Sequence, residues 1–273
     1  MKYSLCELFS MLDGPGDVCM SRTPPPGELF SEFAVPFAGV SHNAKIIDRT
    51  DTDIITGLYS KKGVNFTCLP NSARRLYELS ENSFDVFVHV WMSELSLETE
   101  MLYFGRKILA AADHSAAERA ASNRADDDTR LVLDTAYKVW HEIDRMRGLL
   151  RFSPDAQGRY IARCEPDFYI LPALGEHFSL RFGDTPWVII DDKRGLCLRC
   201  NSSGMPELYA GGLQPALNSD GAAEPDNWEN LWQNYHRTVN NESRNNPGLQ
   251  RQLMPARYWK NLPEMKPGCL NDV

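Results

Sequence analysis

The chain has 273 residues, of which 42% are hydrophobic and 24% charged, and its formal net charge is −8. This composition is typical of one large or two small globular domains, and no apolar run reaches the ~20 residues that a bilayer-spanning helix needs. Seven irregularly spaced cysteines and an amino terminus without a long apolar segment argue against secretion, so we expect a cytoplasmic protein with no membrane partner.

Residues 1–70 carry the weakest structural pattern. Clusters of glycine and proline at 12–16 and 23–27 predict loops. The isoleucine pairs at 46–47 and 54–55 are candidates for short strands. We therefore treat 1–70 as a separate amino-terminal segment, followed by one domain over 71–273.

The first part of that domain, 71–148, is predicted to be helical. Asn71-Ser72, Ser83 and Ser96 stand before helical patterns and are of the residue types that cap a helix amino terminus. The expected helices are 73–79, 84–94 and 97–112. A polar, alanine-rich break is expected over 113–128.

The clearest helix in the sequence follows that break. Its apolar residues recur at three- and four-residue steps, namely Val132, Ala136, Val139, Ile143, Met146 and Leu150. Gly148 predicts the carboxyl end of the helix. The three aspartates at 126–128 could bind a metal ion, but they are more typical of an acidic first helical turn.

Residues 149–209 are predicted to be rich in β-structure. Alternating strand and turn patterns indicate an antiparallel meander, with strands over 149–152, 159–165, 187–190, 196–200 and 205–209. Pro172 at a first helical position opens a short helix to about Phe182.

Residues 226–262 are predicted to form carboxyl-terminal helices. The first carries an apolar stripe that we expect to face the core, formed by Trp228, Leu231, Trp232, Tyr235 and Val239. The second runs from Asn246-Pro247 to Leu253. Helices at both ends of a small sheet make the predicted fold class α+β.

The carboxyl-terminal region reverses the sign of the charge. From Arg237 to Leu262 there are five Lys or Arg residues and one carboxylate, in a chain of net charge −8. Such a reversal predicts an anion-binding surface, because arginine suits phosphate and aromatic rings stack on bases. The candidate nucleic-acid-binding residues are Arg145, Arg147, Arg151, Arg244, Asn246, Gln250, Arg251, Arg257, Tyr258 and Trp259.

A second group of residues could form an acid–base or metal-binding group, namely His141, Glu142, Asp144 and His177. His141 and Asp144 are neighbours on the predicted helix, and with His177 they are the candidate catalytic residues. The alternative is a surface or half-buried histidine in a local ion pair. No nucleophile motif, phosphate-binding loop or dinucleotide fingerprint accompanies them. Cys197 and Cys200 have the spacing of a zinc pair, but inside a strand their sulfurs point to opposite faces. We therefore expect no metal and no cofactor.

Four blocks of the sequence resemble, in the same order, those of a bacterial family described as probable DNA metabolism proteins. The blocks are residues 141–152, 171–178, 186–195 and 244–259. The resemblance implies a DNA-related role beside a radical-SAM protein that modifies or repairs DNA, or beside a uracil-DNA glycosylase-like domain, which here would act in trans. It implies no reaction for the domain itself.

Three functions follow from these observations. The leading hypothesis is an accessory protein without catalytic activity of its own, which binds DNA or RNA. The second is an enzyme that acts on a nucleotide or a damaged base through His141, Asp144 and His177. The third is a protein-interaction module that only docks the radical-SAM partner.

Overall fold

The computed structural model describes residues 3–14, 49–155, 157–201, 205–210, 227–239, 241, 243 and 246–265. The chain divides into two compact units, Met1–Val139 and Trp140–Val273. The predicted α+β class is confirmed, because helices precede and follow a five-stranded sheet along the chain. No helix in the described ranges combines the length and the apolar character that a membrane span requires.

Every regular element in the described residues of the first unit is a helix. These residues form six helices and the first part of a seventh, namely α1 (Leu5–Leu12), α2 (Arg49–Leu58), α3 (Asn71–Leu79), α4 (Glu81–Met92), α5 (Glu98–Leu109), α6 (His114–Ala121) and α7 (Asp127–Leu149). A capping box fixes the start of α1, because the Ser4 hydroxyl accepts from the Glu7 amide at 3.1 Å and the Glu7 carboxylate accepts from the Ser4 amide at 2.7 Å. Phe9 then stacks on Phe84 and Phe87 in the core.

Two sequence-based expectations for this unit were wrong. Ile54 and Ile55 lie in α2 and are buried, so they do not form a strand. The break expected over 113–128 contains α6. Asp113 caps this helix by accepting from the Ala116 amide at 2.7 Å, and Ala117 is fully buried. The helix was missed because alanine provides a buried face with little hydrophobic signal.

The helices predicted before α6 are present, but their caps differ from those expected. Ser80 caps α4 by accepting from the Ser83 amide at 3.1 Å. Ser72 is buried and its hydroxyl donates to the Phe9 carbonyl oxygen at 2.5 Å. Sequence alone does not distinguish a capping serine from one that serves a tertiary contact.

The second unit contains a mixed sheet in the order β1-β2-β3-β4-β5. The strands are β1 (Ser153–Pro154), β2 (Tyr160–Cys164), β3 (Trp187–Asp191), β4 (Leu196–Cys200) and β5 (Glu207–Ala210). β3, β4 and β5 form the predicted antiparallel meander, but β2 and β3 are parallel. A parallel pair needs a crossover connection, and here the crossover contains a 3₁₀ turn at Leu171–Leu174 and the helix α8 (Gly175–Phe182).

The core of this unit lies where the crossover meets the sheet. All five residues of β3 are buried. Phe178 of α8 packs near Trp187, with ring centroids 6.2 Å apart, and Phe152 lies 5.0 Å from Phe178. These aromatic contacts fix the orientation of α8.

The described residues after β5 include α9 (Asn227–Val239), α10 (Pro247–Leu253) and two 3₁₀ segments, Ala256–Asn261 and Pro263–Met265. The expectation that the α9 stripe faces the core was wrong. Leu231, Trp232 and Tyr235 are 49%, 39% and 58% exposed. The side chain of Trp228 lies outside the described residues.

Candidate nucleic-acid interface

The buried carboxylate of Glu142 organises the carboxyl-terminal segment. Glu142 lies on α7 and is 1% exposed. Its two oxygens accept from the backbone amides of Asp167 and Phe168, each at 2.8 Å, and it also accepts from the Tyr258 hydroxyl. The carboxylate therefore joins α7, the loop after β2 and the 3₁₀ segment that carries Tyr258.

Arg257 and Tyr258, both candidate nucleic-acid contacts, belong to this network. Arg257 lies 2.8 Å from the Asp167 carboxylate and 3.8 Å from that of Glu142. Tyr258 is 4% exposed, and burial together with its hydrogen bond to Glu142 raises the pKa of its phenol far above the usual value. Tyr258 thus stays a protonated donor inside the protein, and its ring does not face solvent for base stacking.

Arg151 is held by a second buried carboxylate. Its guanidinium donates to Glu264 at 2.6 Å and lies 5.5 Å from the ring centroid of Trp232. The Trp232 indole also donates to Glu264, at 3.0 Å. Burial alone would raise the pKa of Glu264, but these donors bring it below the ordinary value. Arg151 therefore links α7 to α9.

The end of α7 and the helix α8 bring other cations together. Arg147 is half-buried and Arg181 is exposed, and both act electrostatically on the half-buried imidazole of His177. Desolvation is the largest cause that lowers the pKa of His177, Arg147 and Arg181 lower it further, and Asp144 opposes them. Arg147 and Arg181 thus both act on a histidine whose lowered pKa keeps it mostly neutral at pH 7.

A separate group lies at α10. Arg145 donates to the carbonyl oxygen of Gln252, which lies on α10, at 3.4 Å. Arg251, also on α10, is exposed. Arg145 and Arg147 are two positions apart, so these two predicted contacts point to different flanks of α7.

The remaining candidate contacts have local structural roles. Asn246 caps α10 by accepting from the Leu249 amide at 3.0 Å. The Gln250 amide lies 3.7 Å from the Met265 sulfur, and the Trp259 indole donates to the Met254 carbonyl at 2.8 Å. Arg244 lies outside the described residues.

Of the three candidate catalytic residues, two interact with each other. Asp144 raises the pKa of His177, so the carboxylate and the imidazole interact electrostatically. The ring of His141 makes an edge contact with Trp140, at a centroid distance of 5.4 Å. Sequence reasoning missed Arg181, although it stands four residues after His177 and shares its helix face.

The region just described also identifies the family. A family model, a domain of unknown function (DUF4130), matches residues 102–264, more than half of the 273-residue chain. The chain belongs to this family. The DUF4130 match includes the Glu142 network, α8 and α10, together with all four sequence blocks discussed above. Comparison with curated proteins and with solved structures gives no match.

Proposed function

We propose that this DUF4130 protein binds the phosphates of a nucleic acid at Arg147 and Arg181, as an accessory protein in DNA modification or repair. The observation that carries the proposal is that both guanidinium groups act electrostatically on His177, and that Arg181 stands one helical turn after His177 on α8. Arginine forks bind phosphate oxygens in bidentate geometry. A neutral imidazole beside them provides one further donor without adding charge repulsion.

The carboxyl-terminal segment contributes fewer arginines to the proposed interface than its composition suggests. Arg151 and Arg257 are ion-paired with buried or partly buried carboxylates. Arg145 and Arg251 form a separate group of cations at α10, on a different flank of α7 from Arg147. The proposed interface therefore consists of Arg147 and Arg181.

The DNA context rests on the resemblance of the four sequence blocks. That resemblance supports a partner that performs the chemistry, either a radical-SAM protein or a uracil-DNA glycosylase-like protein. Co-purification with the radical-SAM protein, with and without nuclease, separates two forms of the proposal. Loss of the complex after nuclease treatment means that nucleic acid bridges the two proteins, whereas persistence favours a domain that only docks its partner.

A binding measurement tests the interface directly. Fluorescence anisotropy with labelled single-stranded DNA, duplex DNA and RNA at two salt concentrations should show affinity that falls steeply with salt, because bound phosphates displace counterions. The double variant Arg147→Gln, Arg181→Gln should lower the salt slope by about 2.

The matched control removes the same charge elsewhere in the second unit. Arg163 is paired with Asp192, and Arg199 donates to Asn201 at 2.9 Å, so Arg163→Gln, Arg199→Gln should bind almost as wild type does. The proposal fails if wild type does not bind at low salt, if binding ignores salt, or if both double variants lose affinity equally.

The alternative is an enzyme that acts on a nucleotide or a damaged base through His141, Asp144 and His177. It is favoured by the influence of Asp144 on His177, since a carboxylate can orient an imidazole for proton transfer. Mass spectrometry of nucleotides and damaged oligonucleotides incubated with the protein tests it. Product formation that Asp144→Asn and His177→Gln abolish would favour the enzyme, and no product with wild type would exclude it for those substrates.

A further inference from the structure

The first unit contains a cavity of about 540 Å³. It is bounded by the end of α2 with the loop that follows, and by α3, α4 and α6. The side chains that define its chemistry are Tyr77, Glu81, Phe84, Asp85, His114 and Glu118. This volume is within the range of small-molecule sites, roughly 300–1,000 Å³.

Acidic side chains line the cavity. Among the described residues that line it there is no lysine or arginine. Glu81 accepts from the Tyr77 hydroxyl at 3.0 Å, and Glu118 accepts from the Ser80 hydroxyl. Both donors are neutral hydroxyl groups, so neither hydrogen bond brings a positive charge to these carboxyl groups.

Asp85 is the third carboxylate, and His89 lies one helical turn after it on α4, with Nδ1 3.4 Å from the Asp85 carboxylate. The buried His89 Nδ1 also donates to the Asp85 carbonyl oxygen at 2.7 Å, and Nε2 lies 2.5 Å from the Tyr59 hydroxyl. Both ring nitrogens therefore have a hydrogen-bond partner other than the Asp85 carboxylate.

The wall therefore offers hydrogen-bond acceptors beside an apolar surface. His114 Nδ1 donates to the Leu79 carbonyl oxygen at 2.6 Å. The Tyr77 and Phe84 rings, with centroids 5.6 Å apart, supply the apolar surface. A ligand that matches both would combine N–H donors with hydrocarbon.

The positions of the carboxylates on the helices favour one kind of cation over another. In the described parts of the chain, no three His, Cys, Asp or Glu side chains are arranged to hold one metal ion. The carboxylates instead surround the cavity from α4 and α6. A ligand with separated positive charges fits this arrangement better than a single ion does.

We propose that this cavity binds a linear diamine or polyamine, with its ammonium groups at Glu81, Asp85 and Glu118 and its methylene chain against Tyr77 and Phe84. The site lies in the first unit and is independent of the nucleic-acid interface proposed for the second. Ammonium groups satisfy the carboxylate acceptors, and the alkyl chain covers the two rings.

Calorimetric titration of the full chain tests the proposal, with spermidine, putrescine, butylamine and Mg²⁺ as separate probes. Spermidine should bind one per chain, more tightly than putrescine, and butylamine and Mg²⁺ should bind weakly or not at all. The double variant Glu81→Gln, Glu118→Gln should weaken spermidine binding by at least about tenfold, because two ion pairs are lost.

The control variant is Glu78→Gln, Glu100→Gln, which removes the same charge from side chains that do not line the cavity. It should bind spermidine as wild type does. Equal loss in both double variants, or binding of butylamine or Mg²⁺ as tight as that of spermidine, would overturn the proposal. If Glu118→Gln prevents folding, the exposed single change Glu81→Gln provides the comparison with Glu78→Gln, and retention of full affinity by Glu81→Gln would also overturn it.

Discussion

At the scale of single residues, Glu142 shows how a buried charge is satisfied by groups distant in sequence. Two of its donors are backbone amides, and a third is a phenol 116 positions away. No local motif indicates such a site, because amide donors are present at almost every position. The sequence therefore predicted Arg257 and Tyr258 as nucleic-acid contacts, whereas the structure places both in this network.

Glu142→Gln should lower the free energy of unfolding by about 3 kcal/mol, because the new amide group faces N–H donors and the charge is lost. Tyr258→Phe should cost about 1–2 kcal/mol, since it removes one hydrogen bond. Urea unfolding measures both. As a control, Glu165→Gln at the exposed pair with Lys260 should cost under about 1 kcal/mol, and an equal loss there would contradict the buried role of Glu142.

His177 should make nucleic-acid binding dependent on pH. Protonation adds a positive charge on a side chain that Arg147 and Arg181 both influence, so affinity should rise as pH falls from about 7.5 to 5.5. Because burial and the two arginines lower the pKa of His177, most of the rise should come below the ~6.5 of an ordinary histidine. Anisotropy measurements across this range should show a flatter profile for His177→Gln, and identical profiles would contradict the assignment.

At the scale of elements, the apolar pattern predicted where helices form better than it predicted which of their faces other elements cover. The apolar stripe from Val132 to Leu150 was predicted for α7, and all six of its side chains are buried. α9 carries a comparable stripe, yet its described apolar side chains are largely exposed. Amphipathicity identifies the apolar face of a helix but does not say whether another element covers it.

This difference between the two helices can be measured. Ile143→Ala on α7, at a site that is 1% exposed, should lower the free energy of unfolding by about 2–5 kcal/mol through the lost contacts and the cavity that remains. Leu231→Ala on α9 should change it by less than about 0.5 kcal/mol. Urea unfolding of the two variants compares them, and a large loss for Leu231→Ala would mean that α9 is covered in solution.

The parallel pairing of β2 and β3 was not predictable from the strands themselves. Both have the apolar character of buried strands, and the residues between them include the predicted helix from Pro172. That helix is the signal that could have indicated a crossover, because antiparallel neighbours need only a short turn. The antiparallel order of β3, β4 and β5 followed from the short turns between their patterns.

At the scale of the whole molecule, stability against pH depends on carboxyl groups that act in opposite directions. The depressed pKa of Glu264 contributes stability above the unfolded value, and this contribution is lost as pH falls through the folded value. Asp85 and Asp191 have pKa values raised, with burial as the largest cause, so their contribution is lost as pH rises. These groups therefore make opposing contributions to the pH dependence of the free energy of unfolding.

Comparison of variants isolates the Glu264 contribution. Wild type should exceed Glu264→Gln in free energy of unfolding above about pH 5, and the gap should narrow as pH falls below the ~4.3 of an ordinary glutamate and Glu264 takes up its proton. Denaturant unfolding at several pH values measures the gap. A gap that stays constant or widens on acidification would contradict the depressed pKa.

The order of the strands has a consequence for how the protein is made. Each strand pairs with the one that precedes it in the chain, so β2 finds its neighbour already synthesised, and the same is true of β3, β4 and β5. A nascent chain can therefore extend the sheet strand by strand as it leaves the ribosome. A growing edge is always available to the next segment, and no strand has to wait for a distant partner that has not yet been translated.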